Sequence, residues 1–225
     1  MAALLAGYGL LHSALASRRA KDLATRLAGQ RTRNGLYRPF FIVQSLVTAL
    51  VFLRLFARLP DRTLYHVPRP WSWLLRVGQA AGVGLTVWAA WAVGVARISG
   101  AAPLARYLAG RPTPSEPEAQ GPREAVDGAM LENGPFRHTR HPANWGPIAV
   151  FWLFPRMTVN RLTLAAVATV YLVLGSVHEE TRLRAAYGRA YDRYRRDVPF
   201  LLPFPRPRPL AAEDDEPPLS DARAS

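Results

Sequence analysis

Two groups of ionisable side chains lie on either side of an apolar hairpin in the C-terminal half of the chain. A polar turn contributes Arg137, His138, Arg140 and His141, and the second group is the tandem acid Glu179-Glu180. The apolar hairpin between them is long enough for about two membrane crossings. Because a hairpin returns its end to its start, we expect Arg140, His141, Glu179 and Glu180 to meet on one side of a membrane.

The residue types in this cluster indicate a binding site. Ionisable residues at a membrane edge are costly unless they are paired or functional. Pro142 suits the first turn of a helix, whose N-terminus has free N–H groups that favour a carboxylate. Tandem glutamates at the facing helix end can bind hydroxyls or an ammonium. S-adenosylmethionine carries a carboxylate, an ammonium and a ribose, and would fit both halves.

Two other interpretations of the cluster stay open. In one, these residues only anchor helix ends to the membrane surface. In the other, His and carboxylate side chains hold a metal in a membrane oxidoreductase, the candidate ligands being His138, His141, His178, Glu179 and Glu180. Five such ligands are few for a dinuclear centre, and we expect no metal.

The composition favours a membrane protein. The 225 residues are 49% hydrophobic and carry a net charge of +13, with apolar blocks alternating with Arg-rich and Pro-rich blocks. A basic chain can bind nucleic acid, but these arginines flank apolar segments instead of forming one stripe. The expected partner is therefore the lipid bilayer and not nucleic acid. The chain has no cysteine, which excludes disulfides, thiolate metal sites and a cysteine nucleophile.

The apolar segments predict an all-α, polytopic membrane protein of about five transmembrane helices with a C-terminal interfacial helix. The predicted spans are 2–16, 39–57, 77–98, 145–155 and 162–177. The first segment is short, and a signal peptide is the competing interpretation, but its basic cluster follows the apolar run, which favours a retained helix. His12 within it is interpreted as a histidine satisfied by a neighbouring helix. Small residues in the third segment suit close helix packing in lipid.

The remaining segments are polar. Residues 18–27 predict an amphipathic surface helix, and the residues after Glu180 predict a basic, Tyr-bearing interfacial helix. The Pro- and Glu-rich stretch 111–128 predicts a flexible loop within a membrane domain at 1–203, and 204–225 predicts a disordered tail.

The distribution of basic residues predicts the orientation. With five spans, connections on one side carry 22 Lys and Arg residues, and those on the other carry 6. The basic excess marks the cytoplasm. We therefore expect a multi-pass protein of the inner (cell) membrane, with its N-terminus outside and its C-terminus in the cytoplasm. Both halves of the motif then face the cytoplasm, where soluble cofactors are made.

The order of these motifs resembles the isoprenylcysteine carboxyl methyltransferase and phospholipid methyltransferase superfamily of integral membrane enzymes. The shared pattern is Arg-His-Pro at 140–142, an apolar hairpin, Glu-Glu at 179–180, Gly-x-x-Tyr-x-x-Tyr at 188–194 and Val-Pro at 198–199. Residues 11–19 resemble the opening of NnrU-like proteins and of membrane methanethiol methyltransferases. Trp152, residues 155–158 and Tyr171 are also similar to the latter.

The resemblance implies S-adenosylmethionine as the cofactor, bound on the cytoplasmic side. By position, its contacts would be Met130, Leu131, Phe136, His141, Pro142, Asn144 and the acid pair Glu179 and Glu180, with Arg140 and His141 as positioning groups. Many relatives have Tyr in place of Phe136 and Asn144. Prenylcysteine enzymes have Arg where this chain has Gly175, which argues against a prenylcysteine carboxylate as substrate.

The expected function is S-adenosylmethionine-dependent methyl transfer to a small or lipophilic acceptor at the cytoplasmic face. The acceptor could be a thiol, an isoprenoid or lipid, or a carboxylate. The protein would mainly position the reactants and exclude water, and the sequence identifies no catalytic general base. The alternative is a non-catalytic, NnrU-like membrane partner protein; a metal-dependent membrane oxidoreductase is the third candidate.

Overall fold

The computed structural model describes residues 1–113, 121–122, 130 and 133–201, and these are mostly helical. Leu131, most of the predicted loop 111–128 and the predicted tail 204–225 lie outside the described residues. The helices are α1 Ala2–Ala16, α2 Arg18–Arg58, α3 Trp71–Val93, α4 Val95–Ile98, α5 Ala101–Leu108, α6 Pro142–Trp152, α7 Val159–Tyr187 and α8 Arg189–Asp197. Two strands, β1 Thr63–His66 and β2 Arg156–Thr158, and a 3-10 turn at Gly134–Arg137 complete the described elements.

Within the described part of the chain, two helices are long and apolar enough to cross a membrane, α2 and α7. Few residues of their apolar stretches are buried; on α2, for example, Leu46 and Leu50 are each at least 60% exposed. A large exposed apolar patch is unusual on a soluble monomer. The other three predicted spans correspond to α1, α3 and α6. With 11 residues, α6 is about 16 Å long, roughly half of a ~30 Å hydrocarbon core.

Several helix boundaries differ from the prediction. The predicted surface helix 18–27 and span 39–57 belong to one helix, α2, which is interrupted at Gly29 where φ is 80°. The fifth predicted span, which corresponds to α7, does not end at residue 177 but continues as a helix to Tyr187. Gly188, with φ of 52°, then separates it from the predicted interfacial helix, α8, because glycine adopts such a backbone without steric cost.

The prediction of an all-α protein omitted a two-stranded antiparallel sheet. In it, Tyr65 of β1 lies opposite Met157 of β2. Next to the sheet, Asp61 Oδ1 accepts a hydrogen bond from the Asn160 N–H (3.1 Å), and Asn160 Nδ2 donates to the Pro60 carbonyl (2.9 Å). The α2–α3 connection is thereby tied to the α6–α7 connection at the end of the molecule remote from Glu180. Strands of three and four residues are too short to show a reliable alternation in sequence.

Small residues allow α3 and α6 to approach closely. A Cβ atom on Gly146 would overlap the Thr86 hydroxyl and the Gly82 carbonyl, and one on Gly82 would lie 2.7 Å from the Gly146 carbonyl. Gln79 Nε2 also donates to the Val150 carbonyl across this contact (3.0 Å). The small residues of the third segment thus serve close helix packing, and they fix α6, which begins directly after His141.

Candidate active site

The four ionisable residues expected to meet do so, which confirms the hairpin argument. Arg140 Nε lies 2.6 Å from Glu180 Oε1, and His141 Nε2 lies 3.3 Å from the same oxygen. His141 Nδ1 lies 3.5 Å from Glu179 Oε2. The short segment between the 3-10 turn and α6 supplies Arg140 and His141, and α7 supplies the acids just beyond its apolar stretch 162–177.

The buried pair of Arg140 and Glu180 also holds the last turn of α8 and the residues that follow it. Arg140 Nη1 donates to the carbonyls of Arg195 (2.8 Å) and Val198 (2.7 Å). Arg195 Nε lies 3.2 Å from the second oxygen of Glu180. The His141 and Phe200 rings meet edge to face at 4.9 Å. We call Arg140, His141, Glu180 and residues 195–200 the anchor.

The electrostatics of the anchor keep Glu180 ionised. Burial alone would raise the pKa of Glu180, but its hydrogen bonds with His141 and Arg140 and the guanidinium charge lower the pKa to about 2. Burial alone would lower the pKa of His141, but hydrogen bonds with Glu179 and Glu180 raise it above 6.5. Charge-assisted hydrogen bonds therefore outweigh desolvation for both groups.

Three of the predicted cofactor contacts are buried in the packing around the anchor. Phe136 is 3% exposed, and its carbonyl accepts a hydrogen bond from the Tyr194 hydroxyl (2.8 Å). Pro142 is buried at the start of α6. Met130 packs in an apolar cluster with Leu183, Tyr191, Tyr194 and Val198. These positions join the polar turn to α7 and α8, and their predicted role as cofactor contacts stays a prediction.

Two other predicted contacts, Asn144 and Glu179, line a cavity of about 770 Å³. The cavity lies between α1, α2 and α7. Asn144 Nδ2 donates to the Ser176 hydroxyl (2.8 Å), which fixes its side chain. The Glu179 side chain is 25% exposed, against 10% for Glu180. The two adjacent acids thus have different surroundings, since Glu179 lines the cavity as well as contacting His141, whereas Glu180 is buried in the anchor.

The cavity has a charged end and an apolar end. The charged side chains that line it with Glu179 include Lys21 and Arg33 of α2 and Arg182 of α7. The other end is formed by His12 of α1, Phe41 of α2 and Tyr171 of α7. A rise of 1.5 Å per residue puts Tyr171 and Glu179 about 12 Å apart along α7. No pattern in the sequence indicates that α1 and α2 line the same cavity as the tandem acid.

The five candidate metal ligands do not all converge, because His138 and His178 lie apart from His141 and the two glutamates. Over the described residues, no three His, Asp or Glu side chains are arranged to hold a metal ion. Arg182 Nη2 donates to His178 Nε2 (3.1 Å). The His138 ring lies 6.5 Å from the Trp88 ring, so His138 and His178 have other neighbours than the His141–glutamate group.

Comparison with known proteins finds relatives among methyltransferases. The chain is 44% identical over 69 residues to a methanethiol S-methyltransferase of Crocosphaera subtropica, a match that covers 31% of this chain and 27% of the relative. It is 35% identical over 92 residues to that of Pseudomonas deceptionensis (41% and 35% covered). The corresponding protein of Mycobacterium tuberculosis is 43% identical over 70 residues (31% and 29% covered).

These similarities confirm the resemblance to methanethiol methyltransferases that the motifs predicted. The chain spans about a third or less of the length of these curated relatives. No family model matches the chain. No solved structure shows a significant match to it.

Proposed function

We propose that this protein is a membrane methyltransferase that uses S-adenosylmethionine to methylate a small or lipophilic acceptor at the cytoplasmic face. The observation that carries the proposal is the cavity of about 770 Å³ that Asn144 and Glu179 line. Its volume is in the range of ligand pockets, about 300–1,000 Å³. The names of the relatives make a small thiol the first acceptor to test.

The donor groups at the charged end fit the proposed cofactor. The Glu179 carboxylate can accept hydrogen bonds from ribose hydroxyls or from an ammonium. Cationic side chains that line the same cavity, Lys21 and Arg33, can bind a carboxylate. When bound, S-adenosylmethionine supplies an electrophilic methyl group on a sulfonium. The protein residues would hold the cofactor, leave the apolar end for the acceptor and exclude water from it.

The proposed orientation has the N-terminus outside and the C-terminus in the cytoplasm of an inner-membrane protein. It is supported by the exposed apolar surfaces of α2 and α7 and by the sheet that pairs the two connections with few basic residues. Reporter fusions after residues 66 and 118 test it. We expect the first to report the exterior and the second the cytoplasm, and the reverse result would contradict the orientation.

Calorimetry on detergent-purified protein tests the cofactor site. We expect wild-type protein to bind S-adenosylmethionine with a dissociation constant on the order of micromolar. Glu179→Gln should weaken this binding roughly 10- to 100-fold, because a hydrogen bond to a charged group contributes about 1.5–3 kcal/mol.

The matched control is Asp192→Asn. Asp192 forms a surface ion pair with Arg184 (3.0 Å) and does not line the cavity, so this variant should bind like wild type. Absence of binding by a well-folded wild-type protein would contradict the proposed function and favour a non-catalytic role. If binding occurs, transfer of a labelled methyl group to methanethiol, a prenol and a phospholipid identifies the acceptor class.

A further inference from the structure

His12 lies at the apolar end of the cavity, where its ring could contact a bound molecule. The ring is half-buried and lines the cavity. Its centroid lies 5.0 Å from that of Phe41 and 6.1 Å from that of Tyr8. A histidine held between aromatic rings and facing a ligand-sized cavity is placed to touch whatever occupies that cavity.

The hydrogen bonding of His12 leaves one ring nitrogen available. Nδ1 lies 3.4 Å from the Ser45 hydroxyl of α2. Among the described residues, no other side chain hydrogen-bonds to this ring. When Nδ1 carries the proton and donates it to Ser45, Nε2 keeps its lone pair for a ligand. The contact expected from the sequence, with a neighbouring helix, is therefore present, and in the tautomer that carries the proton on Nδ1 the Nε2 atom can accept a proton.

The phenols near His12 are engaged or stacked. Tyr171 shares a hydrogen bond with Ser13 (2.9 Å), and the Tyr37 hydroxyl donates to the Leu15 carbonyl (2.6 Å). Tyr8 stacks on His12 itself. Of these side chains, imidazole is the one whose ordinary pKa lies near neutral pH.

The charged groups of the cavity lie toward its other end. From α2 they are Lys21, Arg33 and Arg38, and from α7 they are His178, Glu179 and Arg182. The bond between Ser13 and Tyr171 puts His12 beside the turn of α7 that contains Tyr171. By helix rise, Glu179 is about 12 Å farther along. A cofactor held at the charged end would therefore share one cavity with His12 at the opposite end.

We propose that His12 is the catalytic general base for a thiol acceptor. The inference rests on the proposed function. The S–H bond of the acceptor breaks and its proton goes to His12 Nε2. The acceptor sulfur uses the released electron pair to bond the methyl carbon, whose bond to the sulfonium sulfur breaks, leaving that pair on the donor. Imidazolium then returns the proton to water.

A base is needed because thiols are mostly protonated at neutral pH. A free cysteine thiol has a pKa of about 8.5, and simple alkanethiols are weaker acids still. The thiolate is the nucleophile, and a positioned base contributes roughly 10²–10⁴-fold to a rate. An acidic aryl thiol is already a thiolate at pH 8, so its methylation should not depend on a base.

The dependence on acceptor acidity gives the main test. The rate of methyl transfer is measured for wild type, His12→Gln and His66→Gln, each with ethanethiol and with thiophenol at pH 8. His66 lies exposed on β1 and is the matched control. We expect His12→Gln to lose at least about 100-fold with ethanethiol and to keep its rate with thiophenol within about threefold.

A second readout needs no cofactor. Diethyl pyrocarbonate modifies accessible, neutral imidazoles, and peptide mass spectrometry locates the label. We expect His12 to be labelled in the wild-type protein and ethanethiol to suppress this labelling, while His66 is labelled equally with and without the thiol. Labelling of His12 that ethanethiol leaves unchanged would overturn the inference.

Calorimetry with S-adenosylmethionine separates the two proposals. If wild-type protein neither binds the cofactor nor transfers methyl groups, the proposed function fails and this inference fails with it. If wild type binds and transfers but His12→Gln matches His66→Gln with both thiols, the role of His12 alone is refuted. An equal loss with both thiols would likewise refute it, because a misplaced cavity wall slows both acceptors.

Discussion

The anchor and the cavity are adjacent, yet they use the same tandem acid in different ways. In the anchor, Glu180 is buried, and its two oxygens lie within 3.3 Å of Arg140, His141 and Arg195. In the cavity, Glu179 is partly exposed and lines a space that could take a ligand. The tandem acid therefore divides into Glu180, which is buried in the anchor, and Glu179, which contacts His141 of the anchor and also lines the cavity.

Disruption of the anchor should cost the most stability. Arg140→Gln leaves the buried Glu180 carboxylate without its closest cation, and removing one partner of a buried pair costs about 3–5 kcal/mol. We expect the free energy of unfolding to fall by about that amount, measured by denaturant titration in detergent micelles.

The control for this loss is Arg184→Gln. Arg184 pairs with Asp192 at the surface, and its side chain is 61% exposed. Exposed pairs contribute about 0–1 kcal/mol, so the control should unfold nearly like wild type. If the two variants are equally stable, Arg140 does not stabilise the anchor.

The same substitution should have different effects at the two glutamates. Glu180→Gln should lower the free energy of unfolding by about 2–3 kcal/mol, since it removes the charge from three charge-assisted contacts. Glu179→Gln should lower it by less, about 0.5–1.5 kcal/mol, since Glu179 is partly exposed and the substitution weakens its contact with His141, while it weakens cofactor binding. Thermal unfolding and calorimetry on both variants check this, and the converse pattern would mean that Glu180 is the cofactor ligand.

The anchor also predicts how stability depends on pH. The pKa of Glu180 is lowered from 4.5 to about 2, so its contribution is present above pH 4.5 and is lost as pH falls toward 2. The pKa of His141 is raised above 6.5, so its contribution is present below pH 6.5 and is lost as pH rises through the raised value. Both contributions are complete between about pH 4.5 and 6.5.

Thermal unfolding from pH 2 to 9 measures this dependence. We expect a stability maximum in that window and a steep loss below pH 4. Glu180→Gln should flatten the acid limb, because the variant lacks the carboxylate that titrates. An acid limb of equal size in the variant would mean that other carboxylates control acid stability.

The meeting of Arg140, His141 and the acids could be predicted from the sequence because a hairpin leaves little choice about where its ends lie. The division between Glu179 and Glu180 could not. Consecutive helical residues point about 100° apart and do not face one another. Which acid faces which neighbour depends on the rotation of α7, and this is set by packing against α6 and α8.

The cavity could not be predicted from the sequence, for a similar physical reason. Ser13 and Tyr171 hydrogen-bond across a sequence separation of 158 residues, and such pairing leaves no periodic pattern in the chain. The sequence predicts that His12 is satisfied by a neighbouring helix, because it is a polar residue within an apolar segment. The contact with Ser45 bears out that interpretation, but the sequence does not show that the ring also lines a cavity.

A substitution in the cavity wall should change stability less than a substitution in the anchor, and it tests whether the acceptor passes through the cavity. Gly175 lines the cavity, and a Cβ there would meet no atom within 4 Å. Gly175→Leu should raise the free energy of unfolding by about 0.5–1 kcal/mol, since glycine is unfavourable inside a helix. Its side chain would also occupy space between the charged and apolar ends. We therefore expect the KM for a thiol acceptor to rise several-fold, measured by labelled methyl transfer.

Gly84→Leu in α3 is the matched control for this prediction. A Cβ on Gly84 would likewise meet no atom within 4 Å, and this residue does not line the cavity. The variant should gain similar stability and keep the wild-type KM. Helix propensity alone would change both variants alike. A difference in KM between them therefore requires that Gly175 lie between the cofactor and the acceptor. An equal KM for the two variants would mean that the acceptor reaches the cofactor by a route that avoids Gly175.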